Sequence, residues 1–443
     1  MSEVQSSIAA QPSDLSLAPP QSASLVERWY VLIMMCLVYT LSIADRYVVS
    51  TVLDPIRIEL HLTNSGVAWL TGAAFGLFYV ILGFPLSWLI DRYNRRKIVA
   101  VCLVLWSVMT AVCGLARTSM QFFFARVGVT IGEAGGTPGA NSLLSDYFPA
   151  TRRAMALTVF ALGAPIGAYV GYNVAGAIAD HYGWRAVFFA LGVPGVLAGS
   201  AVWLTVREPQ RGCLDSGDDG DAPSFMETMR FLWQQRSAVH VMLGSAVCAL
   251  WGWGLMFWTP TFLQRTYHMS VGEAATLTQN MHLWGGGIAT VATGLLMARG
   301  TMIDARRIVW VLAGGIGIAT VASGVVYYTR DLALARAMLW IFIPAIYFYI
   351  GPGFGLLNNL AQCRMRAMFC AMVLFLANLG NLVIAPPLIG YLNDRFALYV
   401  SNTDALRLAM LCLVPTGLWA TAHLFLAARD IVKDQERARG FPY

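Results

Sequence analysis

The sequence predicts an all-α membrane protein of twelve transmembrane helices, set as two six-helix pseudo-symmetric halves, and three observations predict it. The 443 residues are 57% hydrophobic and only 12% charged, where soluble domains carry about 25% charged residues. Apolar stretches of membrane-crossing length follow one another, without the long period-2 alternation of an outer-membrane barrel. Twenty of the 30 Lys and Arg fall on alternate connections, from Arg28 and Arg92 to Arg437 and Arg439. By the positive-inside rule that side is cytoplasmic. Both termini then face the cytoplasm, which requires an even number of spans.

Residues 1–27 are polar and rich in Ser, Pro and Gln, with no basic segment leading into an apolar one. They read as a disordered cytoplasmic tail. The N-terminal bundle, 28–206, divides into spans at about 28–53, 66–90, 98–117, 120–146, 152–179 and 184–206. A cytoplasmic linker, 207–237, contains the Asp/Gly/Ser run 212–223 and an amphipathic surface helix expected over 224–235. The C-terminal bundle, 238–428, divides at about 238–264, 273–298, 306–328, 334–360, 366–392 and 404–428, and 429–443 form a cytoplasmic tail. The eight cysteines are scattered without a CxxC and read as small buried hydrophobes. One internal repeat stands out: the fifth span closes on Gly176-x-x-x-Asp180 and the eleventh on Gly390-x-x-x-Asp394. Parallel halves with a substrate site between them are one transporter plan.

The charges set at lipid depth carry the functional argument. Asp45 and Arg46 lie side by side in the first span, and Arg126 and Glu133 lie two turns apart on one face of the fourth. Each costs at least about 2.5–3.5 kcal/mol on insertion scales, so intramembrane charge marks a pathway by default. Consecutive residues point about 100° apart, so Asp45 and Arg46 take different partners. Glu133 is expected to hold or release a proton according to the distance of Arg126. The structural alternative is a static ion-pair network.

The connection between the second and third spans reads Ser87-Trp-Leu-Ile-Asp91-Arg92-Tyr93-Asn94-Arg95-Arg96. It resembles the loop signature of the major facilitator superfamily, Gly-x-x-x-Asp-Arg/Lys-x-Gly-Arg-Arg/Lys, with Ser87 and Asn94 in place of the two glycines. The resemblance implies the major facilitator fold and a cytoplasmic gate built from Asp91, Arg92, Arg95 and Arg96, with Arg152 and Arg153 in the equivalent loop. The run Arg126-x-Gly-x-x-x-Gly132-Glu133-Ala, continued by Asp146 to Pro149 and Arg152-Arg153-Ala154, is similar to the spinster subgroup of lysolipid and sphingolipid transporters. Asp45-Arg46 matches that subgroup as well. It implies Asp45 and Arg46 in proton-linked switching, and Arg126 and Glu133 near substrate. The Gly163-to-Gly171 run with Pro165 resembles the small-residue segment of antiporters; physically it is a packing seam and a kink site.

No acidic residue lies deep in the second half. Its candidates are aromatics and amides: Trp253 in the seventh span, Asn280 and His282 in the eighth, Asn358 in the tenth, and Asn378 with Asn381 in the eleventh. Gly351-Pro352-Gly353 is expected to break the tenth helix. A charged half facing an aromatic half suits an amphiphile with a charged head and an apolar body. Proton coupling is assigned to Asp45, Arg46 and Glu133, and substrate binding to Arg126, Glu133, Arg46, Trp253, Asn280, His282, Asn358 and Asn378.

The reading is a proton-coupled secondary transporter of an amphiphilic, lysolipid- or sphingolipid-like solute. The alternatives are the same scaffold moving a small organic anion, and a non-transporting receptor. No HExxH, GxSxG, phosphate-binding loop or metal-spaced His/Cys cluster appears. Hence no enzyme, ATP-driven pump, catalytic residue, metal or other cofactor is expected. The expected partners are substrate, protons and membrane lipid, with no nucleic acid, for a monomer in a bacterial inner membrane or equivalent plasma membrane.

Overall fold

The computed structural model describes residues 24–209, 225–298, 305–362 and 365–438. Most of the N-terminal tail, the acidic linker run, Arg299, Asp304, Arg364 and the last five residues lie outside them. Among the described residues the chain forms eleven helical runs, one of them two helices long, which makes twelve membrane-length helices. In the first half these are Leu25–Thr51; Asn64–Ala68 continued through Trp69–Ala73 and Ala74–Arg92; Arg95–Cys113; Ser119–Tyr147; and Ala150–Ala161 leading into Gly163–Thr205. The last run turns at Gly183, whose φ of 77° favours glycine. It is therefore the fifth and sixth helices end to end.

The second half gives Arg236–Tyr267; Val271–Asn280 through Met281–Gly286 to Gly287–Ala298; and Ala305–Tyr328. Leu332–Phe348 with Ile350–Leu360, then Arg366–Asn378 through Leu379–Ile384 to Ala385–Phe396, and Asn402–Leu413 with Pro415–Ala438 complete it. Nine helical stretches among the described residues are long and apolar enough to cross a membrane, one of them spanning the fifth and sixth helices together. The fourth and eighth helices fall outside that set. They are the helices that carry Arg126 and Glu133, and Asn280 and His282.

The seam between halves is made by the second helix against the eleventh and the fifth against the eighth. All four depart from α-geometry along their length. The second, eighth and eleventh contain the π-segments Trp69–Ala73, Met281–Gly286 and Leu379–Ile384. The fifth is interrupted at Leu162, because Pro165 has no N–H to offer the Ala161 carbonyl. The tenth helix breaks at Tyr349, and Gly351 to Gly353 lie inside Ile350–Leu360. The break thus comes three residues before Pro352, which has no N–H to offer the Phe348 carbonyl, as expected of the Gly351-Pro352-Gly353 run. Pro352 falls in the first turn of the new helix, where its missing N–H has no helical partner to lose.

On the face where the described residues begin at Ser24 and end at Ala438, Arg95 is 2% exposed. It donates to the Asp146 carboxylate, to Glu208 Oε1 at 2.7 Å and to the Pro209 carbonyl at 3.1 Å. Arg96 adds a backbone bond to Glu208 Oε2 at 2.8 Å. These bonds fasten the start of the third helix to the ends of the fourth and sixth. Residues Phe225–Gln234 form the linker helix, with Leu232 buried and Met226 and Trp233 exposed.

On the opposite, far face the short helix Leu53–Glu59 presents Asp54 to Arg265 at the end of the seventh helix, a two-pronged contact at 2.6 and 3.0 Å. Burial alone would raise the Asp54 carboxyl, but the hydrogen bonds and charge of Arg265, with Arg57, hold it below its usual 3.8. A lowered folded-state value means the carboxylate contributes stability above 3.8, and loses it as pH falls through the lower folded value.

Candidate functional site

Between the halves lies one cavity walled by the first, seventh, tenth and eleventh helices. It is lined by Tyr39, Arg46, Tyr47 and Ser50; Ser245, Trp253, Met256 and Phe257; Tyr349 and Phe354; and Leu374, Asn378 and Asn381, with smaller apolar residues between. Arg46 is the charged member of that wall. The rest is aromatic or aliphatic apart from two serines and two asparagines.

The four lipid-depth charges form two crossed pairs. Arg46 donates through Nε at 3.0 Å and Nη2 at 2.9 Å to Glu133 Oε2, and Ser42 Oγ donates to the same oxygen at 3.1 Å. Arg126 Nη1 donates to Asp45 Oδ2 at 2.6 Å, and Thr110 Oγ1 to Asp45 Oδ1 at 2.8 Å. The arginine bonded to Glu133 is therefore Arg46, not the Arg126 whose distance was expected to govern its proton. A shared face sets which side two residues point to, while the contact goes to whichever neighbouring helix supplies the counter-charge at that height. Asp45 and Arg46 do take different partners, as their 100° offset requires.

Phe75 lies between the two pairs, its ring 5.3 Å from the Arg46 guanidinium and 4.9 Å from that of Arg126; Tyr79 lies 5.1 Å from Arg46. Cation–π contacts of this kind are worth about 0.5–2 kcal/mol. The pairs differ sharply in exposure. The Asp45 and Arg126 side chains are 1% and 2% exposed and Glu133 is fully buried, whereas Arg46 is 24% exposed. One oxygen of Glu133, Oε1, has no hydrogen-bond partner among the described residues. The site is thus a sealed pair behind a pair whose arginine forms the cavity wall.

The other sequence candidates divide. Trp253 and Asn378 line the cavity with Arg46. Arg126 and Glu133 lie behind its wall. His282 is fully buried beside it, its Nδ1 2.8 Å from Tyr347 Oη, within an aromatic cluster of Tyr47, Tyr172, Trp253 and Tyr347. Asn358 accepts from Cys370 Sγ at 3.2 Å, and Asn280 is exposed; neither lines the cavity. Of the proposed gate, Arg95 and Arg96 are engaged as described. Arg92 lies 4.1 Å from the Trp88 ring, Arg153 donates to the Ser145 carbonyl at 2.7 Å, and Arg152 is exposed. The Asp91 side chain is outside the described residues.

Sequence reasoning missed Ser42, Thr110, Phe75 and Tyr79 around the charges, and Ser50, Ser245 and Phe354 on the wall. None carries a local signal, since Ser, Thr and Phe are ordinary in apolar helices.

The chain matches a solved bacterial homologue of the human lysosomal transporter spinster, in an inward-facing and unoccupied conformation. The TM-score is 0.80 at 29% identity, covering 93% of this chain and 99% of that one. It is 28% identical over 420 residues to an MFS-type efflux pump of Mycolicibacterium smegmatis, covering 92% of this chain and 95% of the pump. It is 30% identical over 268 residues to spinster homolog 3 of Danio rerio, covering 58% of this chain and 53% of that protein. Residues 35–379 match the Major Facilitator Superfamily, and the chain, a multi-pass membrane transporter, belongs to that family.

Proposed function

We propose that the protein is a proton-coupled secondary transporter of an anionic amphiphile, of the lysolipid or sphingolipid type, working by alternating access with both termini in the cytoplasm. The observation that carries this is the position of Arg46: it forms the cavity wall and at the same time neutralises a buried carboxylate. An anionic headgroup entering the cavity competes with Glu133 for the guanidinium. Once Arg46 turns to the headgroup, Ser42 is the hydrogen-bond partner left to the buried Glu133, and a proton replaces the lost counter-charge. Cargo and proton then load together. The aromatic wall of Trp253, Phe257 and Phe354 takes the apolar body. Asp45 and Arg126 serve as the fixed anchor against which Arg46 moves.

Ser50, Ser245, Asn378 and Asn381 on the same wall support a second reading, a small hydroxylated organic anion whose hydroxyls these groups would bind. Proteoliposome uptake of a lysophospholipid and of a sugar acid, each with and without a pH gradient, tests both. The first reading expects gradient-stimulated lysophospholipid flux. Glu133→Gln is expected to bind cargo and lose the stimulation; retained stimulation removes Glu133 from the coupling.

A further inference from the structure

The far face of the seam is closed by two carboxylates, each capping a helix of the opposite half. Asp180, at the end of the fifth helix, accepts from Val271 N at 3.1 Å, Gly272 N at 2.8 Å and Ser270 Oγ at 2.7 Å at the start of the eighth. Asp394, in the last turn of the eleventh helix, accepts from Asn64 N at 3.1 Å and Ser65 N at 2.8 Å at the start of the second. It also accepts from Asn64 Nδ2 at 2.7 Å and Ser65 Oγ at 2.5 Å. The backbone contacts correspond position for position, one carboxylate oxygen to the first N–H of the receiving helix and the other to the second, while the side-chain donors differ. In each receiving helix the local N-cap, Thr63 or Ser270, serves the third N–H, of Gly66 or Glu273. The first and second N–H groups are left to the foreign aspartate. Such groups have no intrahelical acceptor and carry the positive end of the helix dipole, so a carboxylate there is doubly favoured.

Both aspartates follow a glycine by four residues, one helical turn, and the glycine makes the approach possible. A Cβ on Gly176 would lie 2.9 Å from Ala275 Cβ, and one on Gly390 would lie 2.7 Å from the Asn64 carbonyl oxygen. Arg265 joins the second contact to the Asp54 ion pair, donating to Asn64 Oδ1 at 2.9 Å while the Asn64 amide donates to Asp394.

We propose that Asp180 and Asp394 are the paired residues of the outer gate, a twofold latch in which each half holds the other shut, and whose release is required for the cavity to open to the far face. The latch rests on the family's alternating access and is independent of which cargo is carried. Opening transfers four backbone N–H groups to water, so the two contacts break and form together.

Hydrogen exchange on the full-length protein in detergent tests this. Asp180→Ala is expected to speed exchange at least about tenfold, the effect of losing one charge-assisted hydrogen bond, at residues 271 and 272 and also at residues 64 and 65. Asp394→Ala is expected to do the same at both sites. A wedge, Gly390→Val, is expected to reproduce the pattern with both aspartates intact. Acceleration confined to the helix whose own cap was removed, with the other seam as protected as in the unaltered protein, would overturn the proposal and leave two independent caps.

Discussion

Alanine in place of Arg46 is expected to lower lysophospholipid flux in proteoliposomes by at least about a hundredfold. Two losses combine. The cavity gives up its charged wall residue, and truncating one member of a hydrogen-bonded charge pair costs about 2–5 kcal/mol, where about 1.4 kcal/mol is a factor of ten. Glu133 also loses its partner permanently, so its protonation no longer depends on cargo and the pH gradient no longer drives uptake. Arg46→Lys keeps the charge without the fork that reaches Glu133 through Nε and Nη2 and is expected to recover flux only in part. An alanine variant that still concentrates cargo in response to a pH gradient would remove Arg46 from its proposed role.

The second large effect is on stability. Asp45→Ala leaves the Arg126 guanidinium 2% exposed with no carboxylate, and breaking a buried pair from one side costs about 3–5 kcal/mol. A large fall in the thermal midpoint in detergent is expected. Asp45→Ala combined with Arg126→Met removes both charges and is expected to recover most of it, since an apolar replacement of both partners is often neutral. Glu133→Gln should cost far less, because Ser42 and Arg46 can still donate to the amide oxygen and no unpaired charge is sealed in. The contrast separates an anchoring pair from a switching pair. Equal losses from Asp45→Ala and Glu133→Gln would erase the distinction.

Several features were legible before any coordinates. Charges at lipid depth are conspicuous because they are costly, so Asp45, Arg46, Arg126 and Glu133 stood out, and the divergence of Asp45 from Arg46 followed from helix geometry alone. Gly176-x-x-x-Asp180 and Gly390-x-x-x-Asp394 were visible as a repeat, but not as two capping contacts. What they cap lies about 90 and 330 residues away in sequence and is decided by how the halves dock. The same reason hid the crossed pairing, since which carboxylate meets Arg126 depends on the relative height of the first and fourth helices. Asn280 and Asn358 looked like cavity residues because polar groups in apolar helices usually face one another. Asn280 instead faces outward, and Asn358 is taken by a neighbouring thiol. Trp253 and Asn378, singled out as an aromatic and an amide in apolar spans of the second half, do line the wall.

Proton exchange on cargo binding, read from an indicator dye in weakly buffered detergent solution, bears most directly on the exchange of partners at Arg46. Purified protein mixed with a lysophospholipid should take up about one proton per bound molecule, because the carboxylate that loses the guanidinium must be neutralised; Glu133→Gln should bind the same lipid with no uptake. Binding by the unaltered protein with no proton exchange, or equal uptake by Glu133→Gln, would contradict it.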